Sequence, residues 1–181
     1  MMEDLSLHIL DIVENAIAAG ASRIAVSVNE NEKRDTLTIR VKDNGPGMPE
    51  AAKGRALDPF YTTKKKRTGL GLPLLAQAAD QSGGKLSFET APGQGTNVVA
   101  RFRHSHVDRP PLTKMTETLM LLILGHPEID FRYSHKRNAK SFDFSGRKFL
   151  KDAGAESWFD PELIGAVKET LRSGLGELGR T

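Results

Sequence analysis

Val41-Lys42-Asp43-Asn44-Gly45-Pro46-Gly47-Met48 is the stretch on which the reading of this chain turns. Leu37, Ile39 and Val41 alternate with polar residues and predict a strand that runs directly into Asp43. Gly45 and Gly47 follow, so the chain turns there, and without a Cβ at either its backbone can lie close to a flat ring. A carboxylate at the end of that strand can accept a hydrogen bond from a base amine. Asp-Asn-Gly-Pro-Gly is equally the composition of an ordinary turn, so the flanking segments have to arbitrate.

The 181 residues allow one domain, or one with a small appendage, and 38% hydrophobic residues are enough for a core. With no Cys, disulfide frameworks and thiolate metal sites are excluded. A net charge of +3 and a pI near 9.2 permit an anionic ligand such as a nucleotide but give no argument for nucleic acid as a partner. The longest strongly apolar run, Leu119 to Leu124, is far short of the ~20 residues that span a bilayer. Met1-Met2-Glu3-Asp4 is acidic and does not open a leader. A cytoplasmic protein without a membrane partner is the expectation.

Asp4 is suited to cap a helix running to about Ala19, with Gly20 as its stop. Leu5, Ile9, Ile12, Ala16 and Ala19 recur at three- and four-residue steps and predict its buried stripe. His8, Asp11 and Asn15 fall on another side and can line one groove. Asn15 offers a carbonyl oxygen, a suitable ligand for a hard cation such as Mg²⁺, and Asp11 could take a proton from a nucleophile. A solvated helix face with an incidental Asn has the same pattern. His8 reads as a surface or partly buried histidine, not a phosphoacceptor.

His8-Ile9-Leu10-Asp11-Ile12-Val13-Glu14-Asn15-Ala16 resembles the N-box of the GHKL ATP-binding superfamily, which includes gyrase B subunits, MutL, Hsp-type chaperones and histidine kinases. Asp43-Asn44-Gly45-Pro46-Gly47 resembles its first glycine box, and Asp58-Pro59-Phe60-Tyr61-Thr62-Thr63-Lys64 its F-box. Thr68-Gly69-Leu70-Gly71-Leu72 resembles the second glycine box. The four boxes stand in the family's order across roughly residues 5 to 103. The resemblance implies ATP with Mg²⁺, bound by Asn15, Asp43, Gly45, Gly47, Met48, Phe60, Lys64, Arg67, Thr68, Gly69, Leu70, Gly71, Leu72 and Thr96. It assigns the metal to Asn15 and the catalytic carboxylate to Asp11. It places Thr96 near the adenine, where a hydroxyl could assist Asp43 through a water, although a Thr in a strand needs no such reason.

Ile24, Val26 and Val28 predict a strand, Asn29 to Asp35 a polar hairpin loop, and Pro49 a short helical stretch to about Leu57. Pro59 prevents that stretch from continuing. Lys64-Lys65-Lys66-Arg67 reads on its own as a solvated basic loop. Beside Gly69 and Gly71 it could supply charge to an anion, with backbone N–H groups and the positive end of the next helix. In the superfamily this segment is the ATP lid. A helix from Leu70 to about Gln81, a strand at Leu86 and Phe88, a turn over 91–95 and a strand from Thr96 to Phe102 complete this part. The expected fold is α/β: a two-layer Bergerat-type sandwich, a mixed sheet with helices on one face, spanning residues 1–103. Family resemblance supplies that topology; periodicity supplies only the order of elements.

Residues 104–112, with Pro110 and Pro111 near their end, read as a linker. Residues 113–181 predict a small α/β appendage: a helix ending at Gly125, a hairpin around Arg137-Asn138-Ala139-Lys140, and a helix from Asp160-Pro161-Glu162 to about Leu175. Its size is near the lower limit for independent stability, so it is expected to pack on the first domain or on a second copy in a homodimer. His104, His106, His126 and His135 have no ligand spacing and read as structural or surface residues.

ATP-hydrolysing members of the superfamily usually carry Glu four residues before the Mg-holding Asn. Asp11 is one methylene shorter, which disfavours efficient water activation. Histidine kinases place a phosphoacceptor hairpin before the N-box, and here only a few residues precede the first helix. The expectation is therefore a stand-alone kinase domain, in the style of the anti-sigma serine kinases, that phosphorylates a partner protein. An ATP-gated binding module or weak ATPase is the alternative.

Overall fold

The computed structural model describes residues 3–57 and 71–179. The first helix, α1 (Leu5–Ala18), is capped by Asp4, whose side chain accepts from the Ser6 N–H at 2.9 Å. The other Asp4 oxygen accepts from the Thr113 N–H at 2.9 Å and its hydroxyl at 2.6 Å, so one carboxylate holds α1 and the chain returning at 113. Burial pushes the Asp4 pKa up, but these hydrogen bonds from Ser6 and Thr113 outweigh it and hold the group below its usual value. Gly20, at φ +99°, ends the helix in a backbone conformation that L side chains rarely adopt.

Two antiparallel strands follow, β1 (Arg23–Asn31) and β2 (Thr36–Asp43). The predicted stretch after Pro49 is a single turn, α2 (Glu50–Lys53), without a buried residue to extend it. Then come α3 (Gly71–Gln81), β3 (Lys85–Thr90) and β4 (Thr96–Arg103). The chain continues through α4 (Met115–Gly125), β5 (Asp130–Arg137), β6 (Lys140–Ser145), α5 (Gly146–Asp152) and α6 (Pro161–Leu178). The α5 turn was not legible in the sequence; Ser145 caps it and Phe149 stacks on Trp158 at 5.9 Å. The last helix runs one turn further than predicted, to Leu178, whose side chain is buried.

All six strands form one mixed sheet in the order β3-β4-β2-β1-β5-β6. β5 lies parallel to β1, with Ile24 opposite Phe131 and Val26 opposite Tyr133, so the segment after 113 extends the sheet. Period-two alternation sends Ile24, Val26, Val28, Leu37, Ile39, Val41, Val98 and Ala100 to one face, where they are buried. The stripes of α3, α1, α4 and α6 cover that face in this order across the sheet. Burying each large aliphatic side chain there contributes ~1.5–3 kcal/mol. Among the described residues no helix packs on the opposite face, which carries the polar half of each strand.

The β1–β5 seam is closed by a buried polar cluster. Glu30 is fully buried, and its carboxylate meets His135 Nε2 at 2.7 Å and His104 Nε2 at 2.9 Å. The Tyr133 hydroxyl reaches His135 Nδ1 at 2.9 Å. Burial alone would raise Glu30; the hydrogen bonds from the two histidines reverse that and hold it below its usual value.

Candidate functional site

Asp43 ends β2 in register with Ile24, so it lies on the helix-covered face. Its Oδ1 accepts the Gly45 N–H at 2.7 Å, an Asx turn that bends the chain away from the strand. Among the described residues the other Asp43 oxygen accepts nothing. The turn over 43–48 packs backbone to backbone on the turn over 91–95. A Cβ on Gly47, at φ +66°, would stand 1.9 Å from the Ala91 carbonyl oxygen, and one on Gly95 would stand 2.1 Å from that of Asp43. The Gly93 N–H donates to the Pro46 carbonyl at 2.7 Å across the same contact. Only glycine fits at these two points.

Thr96 opens β4, and β4 pairs with β2 so that Asn97 faces Lys42. Thr96 and Asp43 therefore sit side by side at neighbouring strand ends. Thr90, which sequence reasoning missed, ties the two turns together. Its hydroxyl accepts the Met48 N–H at 2.9 Å, donates to the Gly95 carbonyl at 3.0 Å, and lies 3.1 Å from the Thr96 hydroxyl. Asn44 was also missed; its Oδ1 accepts the Ser22 and Arg23 N–H groups at 3.0 and 2.7 Å. The Ser22 carbonyl in turn accepts the Asp130 N–H at 2.9 Å, so one residue anchors both the glycine turn and the start of β5. The only sequence signal for either was its place at the end of a strand.

A second group forms where α1 meets α3. Gly71, the first residue of α3, lies so close to Asp11 that a Cβ there would be 2.7 Å from Asp11 Cβ. The start of a helix carries partial positive charge, and Asp11 is held against it. Burial pushes the Asp11 pKa up; His8 pulls it down, while Glu3 and Glu14 add to the rise, and the net direction is upward. A raised carboxyl is closer to the range in which a general base works. Asn15 is half-buried one turn further along the same helix. His8 is more deeply buried than the surface or partly buried position expected of it, and its Nδ1 has no hydrogen-bond partner among the described residues. Burial holds its pKa down against the opposing pull of Glu3, Asp11 and Asp4.

The structure thus gathers Asp43, Gly45, Gly47, Met48 and Thr96 at one end of β2, and Asp11 and Gly71 where α1 meets α3, with Asn15 one turn further along α1 and Leu72 packed on the core. The expectations at Phe60, Lys64, Arg67, Thr68, Gly69 and Leu70 lie outside the described residues.

Comparison with known proteins agrees with this geometry. Sensor histidine kinase TmoS of Ectopseudomonas mendocina is 41% identical over 40% of this chain and 8% of its own length. Sporulation kinase C of Bacillus subtilis (strain 168) is 34% identical over 48% of this chain and 20% of its own. The chain therefore spans a fifth or less of these curated relatives. Among solved structures, the Aquifex aeolicus MutL ATPase domain complexed with ADP superposes with a TM-score of 0.50 at 18% identity, covering 78% of this chain and 64% of that one. The N-terminal domain of a DNA repair protein gives 0.53 at 16% identity, covering 78% and 51%. At these identities the likeness is one of fold. Residues 3–106, more than half of the chain, match the family described as histidine kinase-, DNA gyrase B-, and HSP90-like ATPase, and to that family the chain belongs.

Proposed function

We propose that this chain binds Mg-ATP and passes the γ-phosphate to a side chain of a partner protein, in the manner of the anti-sigma kinases. The observation that carries the reading is the contact between Asp11 and Gly71, which holds a raised carboxyl at the start of a helix. Asp43 offers a carboxylate oxygen to the exocyclic amine of adenine, and Gly47 keeps the backbone flat beside the ring. The α3 N-terminus suits the phosphates. Asn15 fits Mg²⁺ as one neutral oxygen ligand, and the ion would neutralise charge on the phosphate oxygens. In the transfer the acceptor oxygen or imidazole nitrogen bonds to phosphorus, the bond to the β-phosphate oxygen breaks, Asp11 takes the acceptor's proton, and ADP leaves. A cytoplasmic setting fits, since no helix among the described residues is long and apolar enough to cross a membrane. Residues 113–181 are suited to choosing the partner, because Ser22 links them directly to the glycine turn.

A second reading, an ATP-gated binding module or weak ATPase, rests on the same contact. Asp11 is short and pinned at its Cβ, which limits its reach towards a water. γ-Labelled ATP added with a cell extract separates the two. Covalent label on another protein, suppressed ~10²-fold or more by Asp11→Asn with ATP affinity little changed, is the expected result. A partner that co-purifies only with ATP and takes no label would overturn the kinase reading.

A further inference from the structure

The uncovered face of the sheet sorts the charge of the chain. Strand register places Lys85, Arg101, Arg103, Arg40, Lys42, Arg23, Arg132 and Lys136 on it, all exposed, while its carboxylates are Glu89 and Asp143 on the edge strands β3 and β6 and the buried Asp130 at the start of β5. Eight cations against three carboxylates exceed the +3 of the whole chain, so the remainder carries a small net negative charge. Arg40, Lys42, Lys85, Arg101 and Lys136 form no ion pair among the described residues, whereas Arg23 and Arg132 lie 3.5 and 3.6 Å from the buried Asp130 and Arg103 lies 2.8 Å from Asp35. Between the cations stand small polar groups: Ser27, Asn29, Thr38 and Ser134.

We infer that this face is a docking surface for the phosphate backbone of double-stranded nucleic acid, bound without sequence preference. Cations interspersed with hydroxyl and amide groups are the set that contacts phosphate and sugar. The face carries no aromatic residue on which unpaired bases could stack, which disfavours single strands. It also lacks the aromatic and Met anchors that dominate protein–protein hot spots, and any apolar residue large enough to enter a membrane interface. From β3 to β5 the cations cover four inter-strand steps, ~19 Å at ~4.8 Å each. A duplex carries one charge per ~1.7 Å of axis, so that span offers more phosphates than there are cations to meet them. The chain-wide charge gives no hint of this; its placement does. Asp43 and Asp11 lie on the other side of the sheet, so the inference is independent of the nucleotide reading.

The test is fluorescence anisotropy of a labelled 20-base-pair duplex of scrambled sequence with the full chain, across 50–200 mM NaCl. We expect binding at the low end, with log affinity falling against log salt with a slope of about −4 to −5, ~0.9 per phosphate neutralised. Arg40→Glu with Arg101→Glu and Lys136→Glu should flatten that slope by about 2–3 and weaken binding at least ~10-fold. The corresponding Gln set replaces it if the Glu set melts at a lower temperature. Absence of binding at 50 mM NaCl, or a slope unchanged in the triple variant, would overturn the inference. So would displacement of the duplex by poly-glutamate at equal charge, which would point to an acidic protein, or capture by phosphatidylserine vesicles in place of the duplex.

Discussion

Replacing Gly71 with alanine probes the contact on which the proposed chemistry depends. The added Cβ would meet Asp11 Cβ at 2.7 Å, against ~3.5–4.0 Å for carbon atoms at rest. Both atoms sit directly on helix backbones, so no flexible side chain can absorb the overlap, and α1 and α3 must part by about 1 Å. Overpacking of this kind costs ~1–3 kcal/mol, or a melting temperature ~2–12 °C lower in a chain of this size. The larger effect is on turnover. A displacement of ~1 Å between a catalytic group and its substrate costs ~10²-fold, so label transfer or phosphate release should fall by that order while adenine contacts at Asp43 persist. Gly165→Ala is the control, because a Cβ there meets nothing within 4 Å. In the interior of α6 it should stabilise by ~0.5–1 kcal/mol. Thermal melts and single-turnover assays on the two variants decide the matter. A Gly71→Ala protein with wild-type melting and wild-type turnover would show that Asp11 is not held against α3.

Asn15→Ala should remove the Mg²⁺ dependence of ATP affinity without abolishing nucleotide binding; titrations with and without Mg²⁺ check it, and an undiminished Mg²⁺ response would contradict the ligand assignment. Glu30→Ala should destabilise the fold by ~3–5 kcal/mol in urea unfolding, because the buried His135 and the half-buried His104 lose their partner, and a loss below ~1 kcal/mol would show that the cluster is replaceable. Asp4 supplies a pH dependence: its folded pKa lies below the unfolded ~3.9, so its contribution is complete above that value and disappears as pH falls through the folded pKa. Acid titration of stability should therefore be flatter below about pH 4 in Asp4→Asn than in the wild type.

The core-facing residues were legible because burial follows period: Leu5, Ile9 and Ile12 on α1 and Ile24, Val26 and Val28 on β1 are where the spacing put them. The candidate residues Asp43, Gly47, Asp11 and Asn15 stand out only through the resemblance to the family's boxes, since a lone Asp before two glycines also makes a plain turn. Pairing was not legible. Alternation in Phe131 and Tyr133 fixes which face they bury but carries no information on which strand lies alongside, and β5 chose β1. Thr90 and Asn44 escaped notice because their roles arise from contacts far apart in sequence, to Met48 and to Ser22. The gathering of cations on one face escaped for the same reason: register across six strands, not composition, assembles it.

Calorimetric titration of Mg-ATP into the wild type and Asp43→Asn tests the nucleotide site most directly. In the proposed site the second Asp43 oxygen would meet the base while Oδ1 holds the Gly45 N–H, a bond that the amide oxygen of Asn can also accept. The fold should therefore survive with an unchanged melting temperature. Loss of a charge-assisted hydrogen bond to the base costs ~1.5–3 kcal/mol, so affinity should fall ~10- to 150-fold. A folded Asp43→Asn protein that binds Mg-ATP as tightly as the wild type would place the adenine elsewhere.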